Sequence, residues 1–303
     1  MEKENIMAKA NVNGIDIEYE TFGASSSPTL LLIMGIGGQL IQWQEEFCRQ
    51  IADHGYHVIR YDNRDSGLST KFSETGMPEI TEKIGALFMG REVVIPYYME
   101  DMADDAAGLL DALNIDKAHI CGMSMGGYIA QTLVLRNPSR ALSLTSIYSH
   151  PGSNGAFLPS QEVMAAFMTP APEEKEKYIR YMLKFLKMIY GSGLPFDEEF
   201  HREVVGRSFD RSFCPEGTAR QFLAVLSQKD RAAALGRLTV PSLIIHGDED
   251  PLVPVAGGKA TADAIPGAEF KIIRGMGHVL PNLNAYWSDI MSAMIDHMGK
   301  VKI

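Results

Sequence analysis

The sequence predicts an α/β fold in which a mostly parallel, twisted sheet carries helices on both faces. Short apolar runs alternate with helical segments along most of the 303 residues, and this alternation is typical of parallel strands joined by crossover helices. Strand signals disappear between residues 151 and 235, where the patterns are helical. We therefore interpret 1–150 and 236–303 as one core domain and 151–235 as a helical cap, or lid, inserted into it.

The elements follow one another in a regular order. Two runs of alternating polarity surround Asn13-Gly14, a dipeptide suited to a tight hairpin turn. Apolar runs that predict buried strands follow at 29–34, 56–62, 117–123, 141–148, 240–247 and 269–275. The stretch 99–115 has the period of an amphipathic helix. By contrast, 73–98 reads as irregular and is longer than an ordinary connection, which favours a segment that lines a site.

Composition and charge restrict the partners of the protein. The formal net charge is -10, which argues against nucleic acid or an anionic membrane as a partner, because phosphate binding relies on clustered Lys and Arg. Cys48, Cys121 and Cys214 are far apart, without metal-ligand spacing, and indicate buried thiols in a reducing compartment. We expect a cytoplasmic monomer or homodimer that binds a small molecule and no membrane.

One serine stands in a pattern that can carry chemistry. Gly122-Met123-Ser124-Met125-Gly126 is a G-x-S-x-G sequence. The pattern recurs by chance, and a glycine turn with an inert serine is the alternative interpretation. Its context favours a nucleophile elbow, because a buried strand precedes it and a helix follows, so that the glycines permit a strained turn with an exposed hydroxyl.

A serine nucleophile needs a base, and the base needs an acid that orients it. Three acids, Asp248, Glu249 and Asp250, follow one buried strand, and His278 follows the last strand. The elbow fold requires the chain order serine, acid, histidine. Carboxyl ends of strands are also where open α/β sheets build their sites. The residues alone leave the choice among the three acids open.

These motifs resemble those of the α/β-hydrolases over nearly the whole chain except the insertion. The stretches are "HVIRYDNRDSGLST", "GMSMGG" and "HGDEDPLVP" with "GMGHVLP". Within that family the chain is most similar to carboxylesterases related to aclacinomycin methylesterase. The resemblance implies the α/β-hydrolase fold, a Ser-His-Asp triad and no cofactor or metal. The family's acid precedes a proline, which selects Asp250.

The resemblance also implies an oxyanion hole of two backbone N–H groups, one after the third strand and one after the nucleophile. Relatives carry His-Gly in the first of these loops, whereas this chain has Met34-Gly35-Ile36-Gly37-Gly38. Backbone donors do not require the histidine side chain, so the candidates are Ile36 and Met125. Asp65 and Ser66 likewise stand where relatives have glycine and a variable residue.

The expected reaction is ester hydrolysis through an acyl-enzyme on Ser124, with small to medium apolar substrates. The candidate substrate-binding residues are Gly35, Met123, Phe157 and Phe167. Lactonase, amidase, carbon–carbon hydrolase and perhydrolase activities on the same triad remain alternatives. A slowly turning hydrolase-fold ligand receptor is an alternative of a different class, because fold alone does not determine function.

Overall fold

The structure is a computed structural model that describes residues 8–152 and 157–301. Within these residues one sheet contains eight strands in the order β1-β2-β4-β3-β5-β6-β7-β8. The strands are β1 Ala8–Val12, β2 Ile15–Phe22, β3 Thr29–Ile33, β4 His57–Tyr61, β5 Ala118–Met123, β6 Ala141–Ile147, β7 Ser242–Gly247 and β8 Glu269–Ile273.

The sheet is antiparallel at its start and parallel afterwards, as the sequence predicts. β1 pairs with β2, and β2 with β4, in antiparallel fashion, while the remaining neighbours are parallel. In the first hairpin Val12 pairs with Ile15. The two turn residues between them, Asn13 and Gly14, have φ values of 51° and 81°. Two positive φ values match the right-handed twist of the strands, so the predicted hairpin turn is confirmed.

Helices cover both faces of this sheet. They are α1 Glu45–Asp53, α2 Met77–Phe88, α3 Met99–Ala112, α4 Met125–Arg136, α5 Gln161–Phe167, α6 Lys175–Met188, α7 Glu198–Arg211, α8 Pro215–Leu226, α9 Ala232–Leu235, α10 Val255–Ala264 and α11 Ala285–Gly299. In β3, Leu30 and Leu32 pack with α1 and α11, while Leu31 and Ile33 pack with α3 and α4. None of the helices described here is both long and apolar enough to cross a membrane.

Of the described residues between β6 and β7, five stretches are helical, α5 to α9. They have a small apolar cluster of their own, formed by Val163, Ile179, Leu183, Leu186, Ile189 and Val205. Residues 153–156, near the start of the predicted insertion, lie outside the described residues. The assignment of 151–235 as a cap stays a prediction.

Two expectations from the sequence were wrong in detail. The stretch 73–98 contains α2, which packs against α8. Its apolar stripe is narrow, because only Ile80 and Ile84 are buried, and this weakened the helical signal in the sequence. Cys214 is only half-buried, unlike Cys48 and Cys121.

Candidate active site

Ser124 occupies a strained turn between β5 and α4. Its φ is 55° and its ψ is -123°, a region that residues with a side chain rarely adopt. The Ser124 N–H donates to the Ile147 carbonyl at 2.9 Å, which holds the turn against the end of β6. The side chain is half-buried, so its hydroxyl lies at the carboxyl edge of the sheet with one side open.

The flanking glycines are required by close backbone contacts. A Cβ atom on Gly122 would overlap the Gly126 carbonyl, and a Cβ on Gly126 would overlap the Ile33 carbonyl of β3. Helix α4 thus begins in direct contact with the strand beside it. The G-x-S-x-G spacing reflects this approach, since any larger residue would push the helix away from the sheet.

We expect Gly126→Ala to lower the free energy of unfolding by about 3 kcal/mol, because the new methyl group would have to displace backbone. Gly85→Ala is the matched control, since a Cβ at this helical position meets nothing within 4 Å. The control is expected to raise the free energy of unfolding by about 0.5–1 kcal/mol through helix propensity. Denaturant unfolding followed by tryptophan fluorescence measures both. Equal stability of the two variants would contradict the close packing of α4.

His278 and Asp250 form a hydrogen-bonded pair. The Nδ1 atom of His278 lies 2.8 Å from Oδ2 of Asp250. The other carboxylate oxygen accepts the N–H groups of Leu252 at 2.9 Å and Val253 at 2.8 Å. Burial raises the pKa of Asp250, but the neighbouring His278 and His246 outweigh it and lower the pKa from 3.8 to about 2. The carboxyl is therefore ionised at neutral pH and holds the imidazole.

The other two acids of the same turn have different partners. Asp248 accepts a hydrogen bond from Nη1 of Arg274 at 2.8 Å. Glu249 accepts the backbone N–H of Ser192 at 2.7 Å and its hydroxyl at 2.8 Å. Neither carboxylate is a partner of His278 in the described residues. Of the three acids, Asp250 is the one that contacts His278; its role as the triad acid stays a prediction.

Tyr148 connects the serine and histidine positions. It follows Ile147, the acceptor of the Ser124 N–H, and its ring centroid lies 4.2 Å from that of His278. Its hydroxyl donates to the Val279 carbonyl at 2.7 Å. Among the described residues no hydrogen bond joins the Ser124 hydroxyl to His278; such bonds often tighten only when substrate is bound.

The loop of residues 34–38, here called the oxyanion loop, lies against the serine. A Cβ on Gly35 would lie 3.2 Å from Cβ of Ser124 and 3.7 Å from its Oγ. Ile36 follows directly, and Met125 is the first residue of α4, where backbone N–H groups have no partner inside the helix. Within the described part of the chain neither N–H donates to a protein acceptor. Their role as oxyanion donors stays a prediction.

The loop after β4 differs from the family pattern at Asp65, and the structure shows what holds it. Asp65 has a φ of 66°, in the region that glycine favours. Its carboxylate accepts hydrogen bonds from Nε and Nη2 of Arg220, each at 2.8 Å, and from the Tyr97 hydroxyl at 2.7 Å. Sequence reasoning missed Arg220, as it missed Tyr148. No local pattern marks a partner that is 155 positions away in the chain.

The predicted substrate-binding side chains lie in different surroundings. Met123 is 2% exposed, and its sulfur lies 3.0 Å from the Tyr148 hydroxyl oxygen. Phe157 lies 5.5 Å, centroid to centroid, from His150, and Phe167 lies 5.0 Å from Phe222 of α8. Both phenylalanines are partly exposed. Their roles in substrate binding, and that of Gly35, stay predictions.

In the parts of the chain that the structure describes, no group of three or more His, Cys, Asp or Glu side chains could hold a metal ion. The hydrogen-bonded pair and the elbow instead provide a base, an oriented acid and a hydroxyl at one edge of the sheet. This arrangement is suited to acyl transfer through a serine.

Comparison with known proteins gives a family match over both halves of the core. The model of a family described as the alpha/beta hydrolase fold matches residues 28–190 and 200–283. The matched segments include Ser124, Asp250 and His278. They also include most of the helices between β6 and β7.

Curated relatives and solved structures agree with this match. A rhodomycin D methylesterase from Streptomyces sp. (strain C5) is 30% identical over 283 residues, which cover 86% of this chain and 88% of the relative. The 3-oxoadipate enol-lactonase 2 of Acinetobacter baylyi is 25% identical over 265 residues, covering 86% and 85% of the two chains. The crystal structure of the enol-lactonase from Burkholderia xenovorans LB400 has a TM-score of 0.72 at 22% identity, covering 97% of this chain and 100% of that one. This last likeness concerns the fold.

Proposed function

The chain belongs to the alpha/beta-hydrolase family and is an enzyme of the carboxylic ester hydrolase class, and on that premise we propose that it cleaves small to medium apolar esters through an acyl-enzyme on Ser124. The main support is one observation. The 2.8 Å hydrogen bond between His278 and Asp250 lies at the same edge of the sheet as the strained turn of Ser124.

In the proposed mechanism His278 takes the Ser124 proton as the hydroxyl oxygen attacks the ester carbonyl carbon. The N–H groups of Ile36 and Met125 stabilise the negative oxygen that forms. When the carbon–oxygen bond breaks, His278 returns the proton to the departing alcohol. A water molecule, deprotonated by the same imidazole, then attacks the acyl carbonyl carbon. As the bond to Ser124 breaks, His278 returns the proton to the serine oxygen and the carboxylic acid is released, while Asp250 holds the imidazole throughout.

The substrate proposed for this site is a neutral, largely apolar small molecule. One relative is a methylesterase, which favours an ester with a small alcohol group. On the insertion, the partly exposed rings of Phe157 and Phe167 offer apolar surface for a larger acyl group. Phe167 packs on Phe222 of α8, the same helix that reaches the oxyanion loop through Gln221.

The second candidate is lactone hydrolysis, which the enol-lactonase relative favours. A lactone is a cyclic ester, so the same serine attack would open the ring and leave both products in one molecule. The two activities are separated by comparing open-chain p-nitrophenyl esters with simple lactones under the same conditions. If kcat/KM is higher for the lactones than for the open-chain esters across the panel, lactone hydrolysis becomes the proposed function.

Turnover measurements on p-nitrophenyl esters of increasing acyl length test the proposal as a whole. An esterase gives many turnovers per molecule and a clear optimum of chain length. A ligand receptor of this fold would give a single slow turnover and retain its product. That result would overturn the enzymatic proposal.

We expect Phe157→Ala and Phe167→Ala to shift the preferred acyl length without abolishing turnover. One methylene of contact in an apolar pocket changes discrimination by roughly 10- to 200-fold, so the shift in kcat/KM between ester lengths is measurable. Phe270→Ala is the control, because Phe270 is also partly buried but lies at the amino end of β8, the opposite edge of the sheet. If neither insertion variant changes the preferred acyl length, the insertion does not line the substrate pocket.

A further inference from the structure

We propose that Gln221, on α8 of the insertion, is a positioning residue that fixes the oxyanion loop for the reaction. The inference rests on the proposed function, since it assigns the oxyanion role to the loop of residues 34–38. It extends that function because it makes the catalytic geometry depend on a side chain of the insertion. Gln221 does not touch the reacting atoms.

Both the oxygen and the nitrogen of the Gln221 side-chain amide form hydrogen bonds. Its Oε1 accepts the Gly37 N–H at 2.7 Å, and its Nε2 donates to the Arg64 carbonyl at 2.7 Å. The side chain is fully buried, so water cannot replace these partners. One amide thus joins the loop after β3 to the loop after β4, and a buried donor or acceptor left without its partner would be unfavourable.

The oxyanion loop contains a turn that needs such a restraint. The Gly38 N–H donates to the Gly35 carbonyl at 3.1 Å, with Ile36 and Gly37 between them. Gly37 has a φ of 64°, as expected for the third residue of a type II turn. The type I and type II forms share this hydrogen bond and differ by a flip of the central peptide. The turn alone therefore leaves the Ile36–Gly37 peptide free to rotate.

Gln221 accepts the N–H of that central peptide and so selects one of the two orientations. Flipping the peptide would break the hydrogen bond from Gly37 and point the Ile36 carbonyl towards α8. The same helix lies close to the turn, because a Cβ added to Gly37 would be only 2.8 Å from the Thr218 hydroxyl. The Ile36 N–H belongs to the adjacent Gly35–Ile36 peptide, so fixing the central peptide also fixes the orientation of this N–H.

Helix α8 is well anchored beside the loop. Arg220 makes its two hydrogen bonds to buried Asp65. On the preceding helix, Arg211 pairs with Asp62 at 2.7 Å, and Asp62 also accepts the Leu40 N–H at 2.7 Å, just beyond the oxyanion loop. These buried charges have their opposite partners, and removing one would leave the other uncompensated. The insertion therefore acts as a fixed frame for the loop.

The chemistry of the site favours a neutral amide at this position. An amide supplies an acceptor oxygen and a donor NH2 group without net charge. A carboxylate in its place would keep the acceptor for Gly37, lose the donor to Arg64, and put a negative charge near the oxygen that becomes negative in the reaction. Leucine would lose both hydrogen bonds at similar volume.

We expect Gln221→Leu to lower kcat by roughly 10- to 100-fold with KM nearly unchanged, since small displacements of catalytic groups have effects of this size. The matched control is Gln131→Leu, which removes another fully buried amide that donates to Ser146 of β6 and accepts from Arg231, and that, among the described residues, makes no hydrogen bond to the oxyanion loop. The control is expected to lose comparable stability and to keep kcat within about threefold. Both are assayed on p-nitrophenyl esters beside Ser124→Ala.

Gln221→Glu gives a second readout that also serves if the leucine variant does not fold. Its kcat relative to wild type should rise as the pH is lowered, because a protonated carboxyl regains the donor and loses the charge. The inference is overturned if the ratio of Gln221→Glu kcat to wild-type kcat does not change with pH, or if the Gln221 and Gln131 leucine variants have equal kcat. In either case an inactive Ser124→Ala leaves the proposed function standing. An active Ser124→Ala would overturn the proposed function itself.

Discussion

Replacing Ser124 by alanine is expected to lower ester turnover by roughly 10³-fold or more, the size of effect known for removing a triad serine. The loss follows because no other hydroxyl lies on the elbow to form the acyl-enzyme. The fold should remain, since Ser124 caps α4 without any side-chain hydrogen bond. Circular dichroism and denaturant unfolding check the fold, and initial rates on p-nitrophenyl esters check the activity.

A fluorophosphonate probe supplies an independent test of the same residue. It should label the wild type once, at Ser124, and leave the alanine variant unlabelled. Ser143→Ala is a suitable control, because Ser143 is a buried serine that contacts His119 within the sheet. Labelling at another serine, or near-normal rates in Ser124→Ala, would contradict the proposed mechanism.

Asp250→Asn is expected to lower turnover by roughly 10³- to 10⁴-fold with the site geometry preserved. The asparagine amide would donate to Nδ1 of His278, which forces the imidazole into the tautomer that cannot accept the serine proton. Asp248→Asn and Glu249→Gln are the controls from the same turn, whose carboxylates have other partners. If Asp248→Asn were the inactive variant, the triad acid would have to be reassigned.

The same substitution has a consequence for stability in acid. The pKa of Asp250 is lowered to about 2 in the folded protein, so the unfolded state binds its proton first as the pH falls. The stability that this carboxylate contributes is present above about pH 4 and is lost as the pH falls towards 2. The difference in unfolding free energy between wild type and Asp250→Asn should shrink over that window.

Features governed by neighbouring residues could be predicted from the sequence. Asn13-Gly14 determines its hairpin because two adjacent residues must accept positive φ. The strands and most helices follow from local periodicity, and the order of serine, acids and histidine along the chain indicated the acyl-transfer chemistry. The glycines around Ser124 belong to this group too, because the steric demand of the elbow falls on positions two residues away.

Other features required the folded chain. Asp248, Glu249 and Asp250 are equivalent in local pattern, and it is the turn after β7 that directs Asp250 to His278, 28 positions later. The sequence marks Asp65 as a departure from the family pattern, yet its partner Arg220 is 155 positions away.

Gln221 gave no signal in the sequence, because an amide on a helix such as α8 resembles any other polar helical residue. Its role depends on how α8 docks beside Gly37, which is 184 positions away. Local sequence determines backbone conformation through steric limits within a few residues. Which buried donor meets which acceptor across such distances is decided only when packed helices and strands bring them within hydrogen-bonding range.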